Sequence, residues 1–255
     1  MILAGLLLLG APAADPPICT DRPAKANSTC TVPPGRMQVE TSGLAWSRTA
    51  NGGTVVETLS VGSSLAKLGL SDRSDIEVGI TPFVKVSTKE AGQRASLSGI
   101  GDAVVRYKHR LSSDGAPVQV AVVPFVKLPT ARRGIGNRKV EGGLAIPVSF
   151  PLSGSMAVTF GPEVDLVADA TGGGRHLALV NLVNLSAPVA PRLTLAGEIW
   201  ANVNFDPAGT VKQASADGAL AYTVSDDLQL DLGANFGLTR DTPDVEVYAG
   251  FSIRL

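Results

Sequence analysis

Apolar and polar residues alternate along stretch after stretch of this chain, and the stretches are too long for an ordinary globular sheet. IEVGITPFVKV (76–86) puts Ile76, Val78, Ile80, Val84 and Val86 on one face, with Glu77, Gly79, Thr81 and Lys85 on the other. DAVVRYKHRL (102–111) sets Ala103, Val105, Tyr107 and Leu111 against Arg106, Lys108 and Arg110. The same period of two runs through 140–152, 156–170, 193–205, 228–239 and the closing VEVYAGFSIRL (245–255). Strands of globular proteins average about 5–6 residues, whereas a tilted strand crossing a bilayer needs about 9–11. The apolar faces carry almost no charge, as a surface against lipid requires. In lipid every backbone donor and acceptor must be satisfied internally, so such a sheet has to close on itself.

The connectors support closure. SDRSD (71–75), SSDGAP (112–117), SGS (153–155), APR (190–192) and SDD (225–227) are compact turns. TANGG (49–53), TKEAGQRASLSG (88–99), ARRGIGNRKV (131–140), TGGGR (171–175), DPAGTVKQ (206–213) and RDTPD (240–244) are expected as longer or looser loops. Counting between them predicts about 12 strands over residues 36–255, with ambiguous register in 36–48, 54–70 and 176–189. An even strand count, short periplasmic turns and longer extracellular loops describe an all-β antiparallel transmembrane barrel. The alternating final strand is expected to pair with the first. A soluble sandwich competes, because aromatics make up only 5% of the chain and barrels carry aromatic girdles. Trp46, Tyr107, Phe205, Tyr222 and Phe251 are the residues available for a sparse girdle.

Residues 1–14, MILAGLLLLGAPAA, are apolar and end on a small-x-small pattern, which reads as a secretory signal cleaved after Ala13 or Ala14. Residues 15–35 follow as a periplasmic segment. Cys19 and Cys30 are the only cysteines, and an isolated pair in an exported chain most simply forms a disulfide. Closing that short loop contributes about 3 kcal/mol in the chain-entropy account. A net charge of −1 points away from a nucleic-acid partner.

If the polar faces line a lumen, its charges are Lys85, Arg106, Lys108, Arg110 and Lys127 facing Glu163, Asp165, Asp169, Glu198, Asp231 and Glu246, with Asn202 among them. Such charges either tune which solutes pass or pair and fill a barrel of intermediate girth. Arg132, Arg133, Arg138 and Lys139 make the extracellular loop 131–139 basic, suited to anionic solutes or lipopolysaccharide phosphates; a merely solvated loop is the plainer reading. His109 and His176 are the only histidines, and Ser186 lies too far along the strand from His176 to be its nucleophile. The paired carboxylates Glu163 and Asp165 are more simply lumen lining than acid–base catalysts. No catalytic residues, metal site or cofactor are expected.

Four stretches together carry a family resemblance: CTDRPAKANSTCTVPPG (19–35), PTARRGIGNRKVEGG (129–143), FGPEVDLVAD (160–169) and ANFGLTRDTPDVEVYAGFSIRL (234–255). They resemble the Putative MetA-pathway of phenol degradation family of outer-membrane barrels, often labelled transporters. The resemblance implies the outer membrane of a Gram-negative bacterium and a link to uptake of aromatic compounds. The ending also looks like the C-terminal signal read by the barrel-assembly machinery, except that it closes on Leu255 rather than an aromatic residue. The expected function is passive uptake of small solutes, with aromatic ones implied by the resemblance alone, and with outer-membrane lipid, the assembly machinery and the solute as partners. A filled structural or binding barrel is the alternative, and an outer-membrane lipid hydrolase a more distant one.

Overall fold

The computed structural model describes residues 15–152 and 155–255. The signal sequence expected at 1–14 and most of the turn expected at 153–155 lie outside the described residues. Among the described residues sixteen strands join one antiparallel sheet. They are β1 (Met37–Asn51), β2 (Thr54–Ser71), β3 (Ser74–Ile80), β4 (Phe83–Glu90), β5 (Gln93–Gly99), β6 (Ala103–Arg110), β7 (Gln119–Leu128) and β8 (Glu141–Ala145). Then come β9 (Val148–Pro151), β10 (Ala157–Phe160), β11 (Glu163–Ala168), β12 (Arg175–Ala190), β13 (Leu193–Asn204), β14 (Val211–Ser225), β15 (Leu228–Gly237) and β16 (Val245–Arg254). Four staves are each broken in two, as β3/β4, β5/β6, β8/β9 and β10/β11, so the wall has 12 staves. β16 pairs with β1 from Gln38↔Arg254 to Arg48↔Val245, which closes the barrel.

Burial is inverted relative to a globular domain. Leu232, Phe236 and Ile199 are more than half exposed on the outside. Lys67, Lys108 and Glu77 are at most 2% exposed inside. The outer face needs a lipid solvent to be stable, which removes the sandwich. At the short-turn end, Tyr107 and Tyr222 face outward beside Phe251; at the long-loop end Trp46, Phe83, Phe205 and Phe236 do so. The girdle is therefore sparse but present at both rims.

Two expectations for the stretch 76–99 are corrected. The segment 88–99 is not a loop: β4 runs through Glu90, turns at Ala91–Gly92, and returns as β5. The alternation in 76–86 also slips by one residue at Thr81–Pro82. Proline has no N–H to give to a ladder, so it sits at such breaks. Opposite it, Gly62 takes a φ of +70°, a left-handed conformation that a side chain would strain. Beyond the slip Val84 turns inward with Ser60 and Gly99, while Lys85 shares the outer face with Leu59 and Trp46. Lys85 is not a lumen residue.

The disulfide-closed segment, expected as a periplasmic stretch over 15–35, is not separate from the barrel: residues 15–36 enter the short-turn mouth and fold into the lumen. At the mouth Ile18 donates to the Asp226 carbonyl (2.7 Å), and Gly35 and Arg36 pair with Gly69. Arg22 passes so close to Gly250 that a Cβ there would lie 2.4 Å from its guanidinium. Cys19 and Cys30 are joined as expected.

The outer face yields a direct test. Replacing the outward Leu232 by arginine in vesicles should lower the urea-unfolding free energy by about 2–4 kcal/mol, the cost of arginine at the bilayer midplane. An unchanged midpoint would mean that this face does not meet lipid.

Candidate functional site: the lumen and its plug

A segment without strands or helices carries unpaired backbone groups into the lumen, and inward side chains satisfy them. The Glu40 carboxylate accepts from the backbone N–H of both Asp21 (3.0 Å) and Arg22 (3.0 Å). Glu198 does the same for Lys25 (3.2 Å) and Ala26 (3.0 Å), and Asn184 donates to it as well. Gln38 donates to the Cys19 carbonyl, and the Tyr248 hydroxyl to that of Pro23 (2.7 Å). The Asp75 carboxylate accepts from the Val32 N–H (2.9 Å). The wall thus supplies what a second strand would otherwise supply.

Asp21 is the node of the attachment. Its carboxylate lies 2.7 Å from the Lys67 ammonium, 2.7 Å from that of Lys108 and 3.4 Å from the Arg106 guanidinium. The two wall carboxylates that reach these cations are Glu40 and Glu77, so Asp21 evens the count of charges. Burial pushes the Asp21 carboxyl up, but Lys108, Lys67 and Arg106 outweigh that and hold it well below the usual carboxylate range. Elsewhere Arg22 forks onto Asp231, with Nε 3.1 Å from Oδ2. Lys25 reaches Asp217 (2.7 Å) and lies 4.9 Å from the centre of the Trp200 ring.

The residues expected in the lumen fall at different heights of the bore. Arg106 and Lys108 face inward and are engaged by the plug. Arg110 is inward at the short-turn mouth, held by Asp114 and by the Asp72 carbonyl (3.0 Å). Lys127 bridges Glu141 (2.7 Å) and Asp102 (3.3 Å) nearer the other end. Glu163 and Asp165 face inward side by side on β11, across from Asn202 on β13, around a cavity of about 330 Å³ that also takes in Lys25, Val180, Leu182 and Trp200. Glu246 accepts from Asn235 (2.8 Å). Asp169 sits on the rim, 2.8 Å from Nδ1 of His176, whose ring also approaches Asp206. That contact ties the β11–β12 and β13–β14 loops, and Asp206 accepts from the Ala170 N–H (2.8 Å) as well. Ser186 lies far down β12 from His176, against the plug.

The basic loop folds inward rather than waving free. Arg132 lays its stem on the inner side of Gly99, and its guanidinium donates to the Ser98 carbonyl. Arg133, Arg138 and Lys139 remain exposed. Sequence reasoning missed the plug side of every contact: Asp21, Arg22, Lys25 and Asn27. The available signal was the charge packed into CTDRPAKANSTC, a loop too polar to hide in an apolar core. Glu40 and Lys67 were hidden because they fall in the two strands whose in/out alternation slips at Gly43 and Gly62.

A closed antiparallel wall, apolar outside and charged inside, with its own N-terminal segment in the bore, is an outer-membrane β-barrel. Solved structures agree on the fold. The COG4313 outer membrane channel from Pseudomonas putida F1 superposes with a TM-score of 0.69 at 13% identity, over 89% of this chain and 98% of that one. The NanC porin gives 0.56 at 9% identity, covering 86% and 100%. The translocator domain of the autotransporter NalP from Neisseria meningitidis gives 0.54 at 12%, covering 87% and 88%. None of the curated proteins matches the sequence. The chain belongs to the Putative MetA-pathway of phenol degradation family, which matches residues 20–255.

The node predicts a signed pH response. A depressed carboxyl stabilises the folded state fully above its unfolded pKa, and that contribution is lost as pH falls through the folded value. Attachment of the plug should therefore persist at neutral and mildly acidic pH and weaken only well below the ordinary aspartate range of 3.8. Asp21→Asn leaves a buried cation uncompensated, at a cost of about 3–5 kcal/mol. Residues 15–35 should then become open to protease at neutral pH, and an equally protected variant would refute the node.

Proposed function

We propose that the protein is a passive diffusion channel of the Gram-negative outer membrane, for small solutes of the size of one aromatic ring, with its bore narrowed by its own N-terminal segment. Both chain ends then lie on the periplasmic side and the long loops outside. The observation that carries this reading is the space left around the plug. Cavities of about 330 Å³, 300 Å³ and 330 Å³ meet at Lys25 near its tip. Another of about 290 Å³ runs between the plug and the small side chains Ser186, Thr194, Ala196 and Ala221. Pockets that hold small molecules span about 300–1,000 Å³, and these mix charge with Trp200, Tyr248, Val180 and Leu182. The description of the family supports an aromatic solute. The likeness in fold to an outer membrane channel and to a porin supports transport over catalysis.

The test is single-channel recording in planar bilayers. Native protein should show small conductance steps, and a variant lacking residues 15–35 should show steps several-fold larger, since pore width governs conduction. Silence from both would favour a filled structural barrel.

A further inference from the structure

We propose that the outer face of the tall wall built by β1, β2, β4 and β5 docks lipopolysaccharide through its phosphate groups, a reading that rests on the outer-membrane placement above. At about 3.3 Å per residue and a tilt near 45°, the stretch of β1 from Met37 to Trp46 climbs roughly 21 Å. The apolar band of an outer-membrane barrel is about 25 Å tall. Outward residues confirm where it ends: Leu44, Val61 and Phe83 are 53%, 38% and 39% exposed, and Trp46 then takes the place of an interface aromatic.

Above that level the same face turns basic. Register carries Arg48 outward one step beyond Trp46, and Lys85 outward level with it through Leu59. One further step puts Lys89 and Arg94 opposite each other on the β4–β5 hairpin. Glu57 is the acidic residue among them, 3.6 Å from Arg94, and Asp244 approaches Arg48 at 3.8 Å; both pairs are open to solvent. Exposed pairs of this kind contribute little, so the cations remain available to a stronger anion. Four cations standing on the rim of an apolar belt match the geometry of a lipid whose acyl chains lie along the barrel and whose phosphates sit at its upper edge. Charge-assisted contacts from guanidinium and ammonium groups are the chemistry that phosphates select. Lys85, Lys89, Arg94 and Arg48 lie outside the lumen, so this surface is separate from the solute path.

Binding is read by native mass spectrometry of the full chain in detergent, titrated with purified lipopolysaccharide, with the same material dephosphorylated, and with phosphatidylglycerol. The heat-dependent gel mobility of the wild type is read first and reports on the barrel alone. Wild type should retain one or more lipopolysaccharide adducts, with binding about tenfold weaker to the dephosphorylated form, in keeping with the worth of several basic residues at an anionic surface. Lys85→Glu with Lys89→Glu and Arg94→Glu should weaken lipopolysaccharide binding by about tenfold or more on the same ground, while Lys212→Glu on the opposite wall should not. Should the triple variant lose the folded band, Lys89→Gln with Arg94→Gln, at two solvent-exposed positions, should show a smaller loss of the same sign. Equal binding by wild type and charge variants, by phosphorylated and dephosphorylated lipid, or by phosphatidylglycerol and lipopolysaccharide overturns the proposal.

Discussion

The pairing of β16 with β1 is the constraint from which the rest follows. Once these strands exchange their hydrogen bonds, no edge remains at the seam and the backbone has no unpaired polar group to present to lipid there. Closure in turn divides every side chain into outside or inside by parity alone. The apolar set, useless to a soluble protein when it faces outward, becomes the solvation of the barrel by lipid. The charged set is gathered into a space where each group must find a partner.

That gathering explains the plug. Inward cations on β2 and β6 outnumber the wall carboxylates that pair with them. A disulfide-closed loop carrying Asp21, Arg22 and Lys25 supplies the missing charges at the centre. In exchange Glu40 and Glu198 satisfy its backbone N–H groups. Removing water from such pairs is costly, and the attraction repays it only when further hydrogen bonds complete each partner. Glu40 and Glu198 are completed in this way by the backbone of the plug and by Gln38 and Asn184, which helps an irregular segment to hold one conformation inside a pore.

The wall is not uniform in height. β1, β2, β4 and β5 rise beyond the apolar belt, and among the described residues no strand pairs with the far edge of β5. Arg132 covers part of that edge, since its N–H donates to the Ile100 carbonyl (3.0 Å). An unpaired edge is a hazard that proteins shield with charge or a covering loop, and the basic loop performs that role while leaning over the lumen. Its basic composition suits both tasks: a long polar stem to lie on Gly99, and a charged head that stays wet.

The strand count, the parity of most lumen residues and the disulfide were legible in the sequence, because period-two alternation is a local property enforced by lipid on one side and water on the other. Arg106, Lys108, Glu163, Asp165, Glu198 and Asp231 could be assigned inward from their immediate neighbours alone. Lys85 could not, because a single slip at Thr81–Pro82 reverses every side chain beyond it, and alternation before and after the slip looks the same. The plug was decided only by the tertiary structure. Its contacts join residues such as Arg22 and Asp231, remote along the chain, and no local pattern records that a polar loop will be drawn into a bore whose charge balance depends on strands not yet paired.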